Sequence, residues 1–241
     1  MEITALSQPE HTYFLRRLRD ARYAVLRDAE NFINICSTLE ELGCRLKEDK
    51  ATGLGGYRKE FRALSAHGGM DETRFDVLFD QVRLARNDAA HQGVFARNAA
   101  KRAVKLCVYI EGIIMTQLKQ IGDVMSGHLL LAQPYHTLSH LREEMLTNSF
   151  SFLPYQVADG YRLISDIDVA RLLRNPQYSS RSYTTTVSQL DPQWLEGLHP
   201  AEVLQETDLL SAVIERISVF PAVVERSEGL PVGIITAFDL L

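Results

Sequence analysis

Apolar positions in the first half of the chain recur at helical spacing. Phe14, Leu18, Ala21 and Val25 step by four and three, and Phe32, Ile35, Leu39, Leu42 and Leu46 keep the same rhythm, with only Asp28 interrupting. The pattern predicts one long amphipathic helix, packed antiparallel in a bundle, with surface left for a second subunit. Gly53, Gly55 and Gly56 end it; lacking a preceding strand and a following Gly-Lys-Ser/Thr, they read as a linker and not a phosphate loop. A second helical segment runs from about Tyr57 to Ala66 and stops at His67-Gly68-Gly69. A third places Phe75, Leu78, Phe79 and Val82 on one face and continues through Arg86 to His91, with Gly93 as its C-terminal cap. A fourth begins near Arg97 and repeats Ala103, Cys107, Ile110, Ile114, Leu118 and Ile121.

Beyond Gly122 short apolar runs bounded by turn residues alternate with short helical patterns, which predicts an α/β arrangement. Phe152–Val157, the turn Asp159-Gly160 and Tyr161–Ser165 read as a hairpin, followed by a helix from Asp166 to Leu173. The same grammar returns in Val219–Val224, a turn through Ser227-Glu228-Gly229, and Leu230–Thr236, an internal repeat of about 70 residues. Between the copies the Ser/Thr-rich stretch from Tyr178 to Ser188 reads as a connecting loop. Asp159-Gly160, Trp194 and Pro154 read as turn, core and strand edge.

At 241 residues, 46% apolar and 24% charged, the composition excludes wholesale disorder and low-complexity classes and fits one or two ordinary cores. No uncharged apolar stretch is long enough to span a bilayer, and Met1–Leu6 lacks the basic region and apolar core of a signal peptide, so a cytoplasmic protein without membrane contact is expected. Cys36, Cys44 and Cys107 are too few and too scattered for a disulfide framework or thiolate metal site. The net charge of −5 hides an asymmetry: residues 1–122 carry 19 Lys and Arg against 16 Asp and Glu, residues 123–241 carry 7 against 15, and all six lysines precede the division. The first half is thus the place for a polyanionic partner.

In that half the informative cluster is Arg86-Asn87-Asp88-Ala89-Ala90-His91. Asn87 and His91 stand at i and i+4 on a helix and share a face that Arg86 flanks, away from a core stripe through Val82, Ala85 and Ala89. A fixed guanidinium stabilises a phosphate or its transition state, and an imidazole exchanges its proton near neutral pH. Metal-free RNA cleavage through the ribose 2′-hydroxyl needs little else; a solvated helix end is the plainer reading of the same residues. The arrangement over about residues 10–122 resembles the HEPN superfamily, whose motif is Arg, a polar residue and then His after four to six positions. The resemblance implies a metal-independent endoribonuclease of a toxin or phage-defence system, with no cofactor for catalysis. It also implies RNA as substrate, a homodimer whose composite site joins two Arg86 and two His91, and an antitoxin or regulatory protein as partner. Gly93 stands where some members carry a modified tyrosine.

In the second half each repeat ends in a strand followed by a hydroxyl and, three residues on, an aspartate: Ser165 with Asp168, and Thr236 with Asp239. Helix capping explains either copy alone. Two copies at strand-to-helix junctions resemble the ligand motif of CBS domains, and Gly233–Leu241 is close to that family's usual ending. The resemblance implies a tandem pair, the first module at about 125–174 and the second at about 194–241, with clefts for AMP, ATP or a related adenosyl compound as regulatory ligand. Asp168 and Asp239 would then hold ribose hydroxyls, and Ser165 and Thr236 would face phosphate. Since the sequence ends two residues after Asp239, the second module's final helix is expected to be nearly absent, leaving a surface for a dimer partner. His136 and His140, with Glu143 and Glu144 nearby, are read as solvated positions on the helix before the first hairpin and not as metal ligands. The expected fold is therefore a helical, HEPN-like domain at 1–122 followed by an α/β tandem CBS module at 123–241. The expected function is a ribonuclease controlled by adenine nucleotide, or a non-catalytic sensor whose helical domain only dimerises or docks a partner.

Overall fold

The computed structural model describes residues 6–49, 53–89, 96–127, 129–217 and 219–241. The chain divides into two compact units, Met1–Leu118 and Lys119–Leu241.

The described part of the first unit is helical: α1 (Gln8–Arg27), a 3-10 turn (Ala29–Asn31), α2 (Phe32–Lys47), a second such turn (Leu54–Tyr57), α3 (Arg58–Ser65), α4 (Glu72–Ala89) and α5 (Ala96–Met115). The single long helix expected across Phe14–Leu46 is two. At Asp28 the backbone turns extended (φ −150°, ψ 123°), and its carboxylate accepts from the Glu30 N–H as the cap of the turn that follows. The chain then reverses, because Glu10 near the start of α1 pairs with Arg45 near the end of α2, and Tyr13 Oη donates to Glu41 at 2.5 Å. Leu15, Leu18, Leu39, Leu42, Phe61, Phe75, Phe79, Val82 and Ile110 are fully buried between the helices. Phe79 lies 5.6 Å from Phe61 and 5.8 Å from Phe75, a packed aromatic centre. At the edge of this apolar core the buried Glu111 is met by the partly buried Arg22, whose Nε and Nη2 donate to it at 3.0 and 3.2 Å, and the Cys107 thiol lies 3.1 Å from the same carboxylate.

The second unit contains α6 (Ile121–Val124), α7 (Leu138–Asn148), β1 (Phe152–Val157), β2 (Gly160–Ser165), α8 (Asp166–Arg174), α9 (Pro176–Ser179) and α10 (Pro192–Glu196). Then follow β3 (His199–Pro200), β4 (Glu202–Gln205), α11 (Leu210–Val213), β5 (Ala222–Arg226) and β6 (Leu230–Ile235), with a final 3-10 turn at Ala237–Leu240. Two three-stranded sheets form, in the orders β1-β2-β3 and β4-β5-β6. In each an antiparallel hairpin is central, Phe152 pairing with Ser165 and Ala222 with Ile235. The second hairpin begins at Ala222, so Val219, Phe220 and Pro221 of the expected strand stay outside it.

The repeat is visible in how the sheets are completed. β4 runs parallel to β5, and Ala132 makes the corresponding parallel bridge to Tyr155 of β1. Residues at the start of each copy also pair with the last strand of the other: His199 and Pro200 with β2, and Ser126 with Ile234 of β6. Leu141, Ile164, Val169 and Val187 form one buried cluster, while Val223, Val224, Ile235 and Val213 are buried around the other hairpin. The stretch read as a connecting loop packs too, with Tyr178 and Val187 buried and the turn Val187–Gln189 at its end.

Candidate functional site

The end of each hairpin builds the same corner. Ser165 caps α8: the Asp168 N–H donates to Ser165 Oγ at 3.1 Å, while Ser165 N–H and Oγ donate to Asp168 Oδ2 at 3.1 and 2.5 Å. At the other hairpin Thr236 N–H and Oγ1 each donate to Asp239 Oδ2 at 2.8 Å. There the Phe238 N–H also reaches the hydroxyl, at 3.2 Å, as the chain continues in a 3-10 turn and not an α-helix. Each corner thus fixes a carboxylate and a hydroxyl together at a strand end, and at the first of them the N-terminus of α8 favours an anion.

The first corner opens on a cleft of about 310 Å³ between α8 and α10. Asp168, Arg171, Leu172 and Asn175 line it from α8 and the residue after it, and Gln193 and Trp194 line it from α10. This is near the lower end of the volumes that hold small ligands. Trp194, expected to be core alone, is half-buried: it packs on the cluster of Leu138, Leu172, Tyr178 and Leu190 and also forms part of the cleft wall. Arg171 and Asn175 recur at three and seven residues from Asp168, so helical spacing carried that signal. Trp194 and Gln193 come from a distant segment, and periodicity gave no sign of them.

Behind the corners, Tyr161 Oη donates to Glu225 Oε1 at 3.0 Å and joins β2 to β5. Burial, reinforced by that carboxylate, pushes the phenol up to about 12. His136 precedes α7 instead of standing on it, and Thr137 is the cap. The His136 and His140 rings meet at 4.4 Å, and burial followed by the charge of His140 lowers the His136 imidazole below its usual value. Among the described residues no three His, Cys, Asp or Glu side chains stand together as a metal ion would need.

In the helical unit Arg86 lies near the end of α4 and pairs with Glu40 of α2, its Nη2 at 3.1 and 3.3 Å from the two carboxylate oxygens. The Arg86 side chain is 39% exposed, and Asn87 beside it is exposed. Gly53, at φ +68°, passes close by: a Cβ there would lie 3.8 Å from Arg86 Nη1. Glu40 as the arginine's partner was not foreseen, being 46 residues away. His91 and Gly93 lie outside the described residues. Among the described residues no helix is long and apolar enough to cross a membrane.

No family model matches the chain, and no curated protein does. Solved structures that resemble it contain CBS-domain pairs, which match its C-terminal half. A hemolysin-like protein containing a CBS domain from Oenococcus oeni PSU is 20% identical, with 51% of this chain and 87% of that chain covered and a TM-score of 0.39. CBSX2 from Arabidopsis thaliana, a CBS-pair protein, is 18% identical over 50% of this chain and 90% of its own, with a TM-score of 0.38. The CBS domain of the bacterial CNNM/CorC family Mg2+ transporter, in complex with ATP, is 16% identical over 54% and 90%, with a TM-score of 0.40. CBSX2 is also seen in complex with AMP, and the CBS pair of MJ0100 in complex with 5-methylthioadenosine and S-adenosyl-L-methionine.

Proposed function

We propose that the second unit is a tandem CBS module and an adenine-nucleotide sensor, with AMP, ATP or a related adenosyl compound as regulatory ligand. The observation that carries this reading is the pair of hydroxyl–carboxylate corners at the ends of two hairpins, the first opening on the cleft between α8 and α10. Ser165 and Thr236 face phosphate, and Asp168 and Asp239 take ribose hydroxyls. Calorimetric titration of the full chain with AMP and with ATP tests it. Asp168→Asn is expected to weaken binding about tenfold, the cost of one charge-assisted hydrogen bond. Unchanged affinity in both Asp168→Asn and Asp239→Asn removes the assignment.

The finer reading gives the helical unit, HEPN-like over residues 1–122, a metal-independent endoribonuclease activity in a homodimer, with Arg86, Asn87 and His91 as its site. Its support is a half-exposed arginine held in place by Glu40 beside an exposed asparagine, on the more basic half of the chain. RNA is then the substrate, an antitoxin or regulatory protein a partner, and nucleotide in the second unit the control. Total RNA incubated with the protein and EDTA is expected to be cut, and Arg86→Ala and His91→Ala are each expected to abolish cutting while the dimer persists. RNA left intact by the unaltered protein, with nucleotide still bound, leaves a sensor whose helical unit dimerises or docks a partner.

A further inference from the structure

Along one side of α8 the chain presents the Ser165 cap, Asp168, Arg171 and, just past the helix, Asn175, at intervals of three, three and four residues. Gln193 and Trp194 of α10 stand across the cleft from them. We infer that this cleft reads the base of the nucleotide: Trp194 is the apolar wall against the purine, and the Gln193 amide reads its edge. The inference rests on the adenine-nucleotide reading and adds to it residues that the two corners do not contain.

Order along the helix supports it. At 1.5 Å per residue, Leu172 lies about 10 Å beyond Ser165 with Asp168 between them, and Trp194 packs on the cluster to which Leu172 belongs. Hydroxyl, carboxylate and indole therefore follow one another as phosphate, ribose and base do in a mononucleotide. The packed indole is already ordered, so little side-chain entropy is lost when a purine lies against it. Arg171, one turn beyond Asp168, adds a positive charge to the cleft wall in an otherwise acidic half of the chain.

The edge of the base is read by an amide because an amide sets a donor beside an acceptor. Adenine offers the complementary N7 acceptor and N6 donors, whereas guanine offers two acceptors at the same edge. Asn175 Oδ1 already accepts from the Gln177 N–H at 2.9 Å, which leaves its two amide N–H groups as the freer part of that side chain. Gln193 has its backbone N–H engaged by Asp191 at 2.9 Å and an exposed side chain, which supplies the acceptor for N6.

Trp194 is the single tryptophan of the chain, so its emission reports this cleft alone. The full-length protein is titrated with AMP and separately with GMP, following tryptophan emission and, in parallel, equilibrium dialysis of the labelled nucleotide. Emission is expected to change saturably over the AMP concentrations at which dialysis shows binding. Gln193→Ala, at an exposed position, is expected to weaken AMP about tenfold and to leave GMP, the weaker ligand of the unaltered protein, little changed. AMP bound in dialysis with emission unmoved, or held equally well by Gln193→Ala, overturns the inference while the nucleotide reading stands. No AMP bound in dialysis overturns that reading, and this inference with it.

Discussion

A carboxylate's surroundings decide which protonation state the fold stabilises. Glu10 accepts from Arg45 and from the Ser7 N–H and hydroxyl at 2.8 and 2.7 Å, and these hydrogen bonds, the arginine's foremost, hold its carboxyl down at about 2 from an ordinary 4.5. The sign follows: a depressed folded pKa contributes stability that is present above 4.5 and is lost as pH falls toward 2. Glu10→Gln is therefore expected to lower the urea midpoint at neutral pH and to flatten its fall across that window. A variant whose midpoint tracks the unaltered protein through the acid range would show that the Arg45 contact contributes nothing. The opposite case is Cys36, where burial pushes the thiol up to about 12, with the Glu40 charge adding to it, and the residue behaves as a small apolar group.

Elements were legible in the sequence where a single face is buried and illegible where the chain turns without losing phase. Val25 and Phe32 are seven residues apart, so the apolar rhythm passes through Asp28 unbroken although the helix does not. The sign of the break lay in chemistry and not in periodicity, since an aspartate that can cap is also a stop. The hairpins and both hydroxyl–carboxylate corners were readable because each is local, within about fifteen residues. What escaped, Glu40 beside Arg86 and Trp194 beside Asp168, joins positions 46 and 26 residues apart and depends on tertiary packing. Packing also decides a prediction on α2. Gly43→Ala would gain about 1 kcal/mol of helix propensity, but the new Cβ would lie 2.5 Å from Cγ of the buried Tyr57. The contact is at the root of the ring, which cannot swing away, so overpacking of roughly 1–3 kcal/mol outweighs the gain. Net destabilisation of about 1 kcal/mol is expected from denaturant unfolding, and a stabilised variant would show that the ring yields.

At the scale of the whole molecule, two units of different charge share one chain, and the ligand proposed for one of them should show in stability before any activity is known. Binding to the folded state alone at a hundred times Kd adds about 2.7 kcal/mol. Thermal unfolding followed by circular dichroism is accordingly expected to move upward with AMP in the unaltered protein, and by much less in Asp168→Asn. An equal shift in both would mean that the nucleotide contacts some other part of the chain. Fold and chemistry were not equally readable at this scale: helix and hairpin order announced the architecture, but no pattern in the sequence says that the corner at α8 opens on a cleft.

The salt link between the partly buried Arg22 and the buried Glu111 acts as a latch on register. If α1 slid along α5 by one helical turn, about 5.4 Å, the buried Glu111 carboxylate would lose its partner in surroundings that solvate it poorly, at a cost of several kcal/mol. Leucines and isoleucines tolerate such sliding, because one greasy neighbour replaces another; a mated pair of opposite charges does not. The helical half is thereby confined to one alignment of its longest elements.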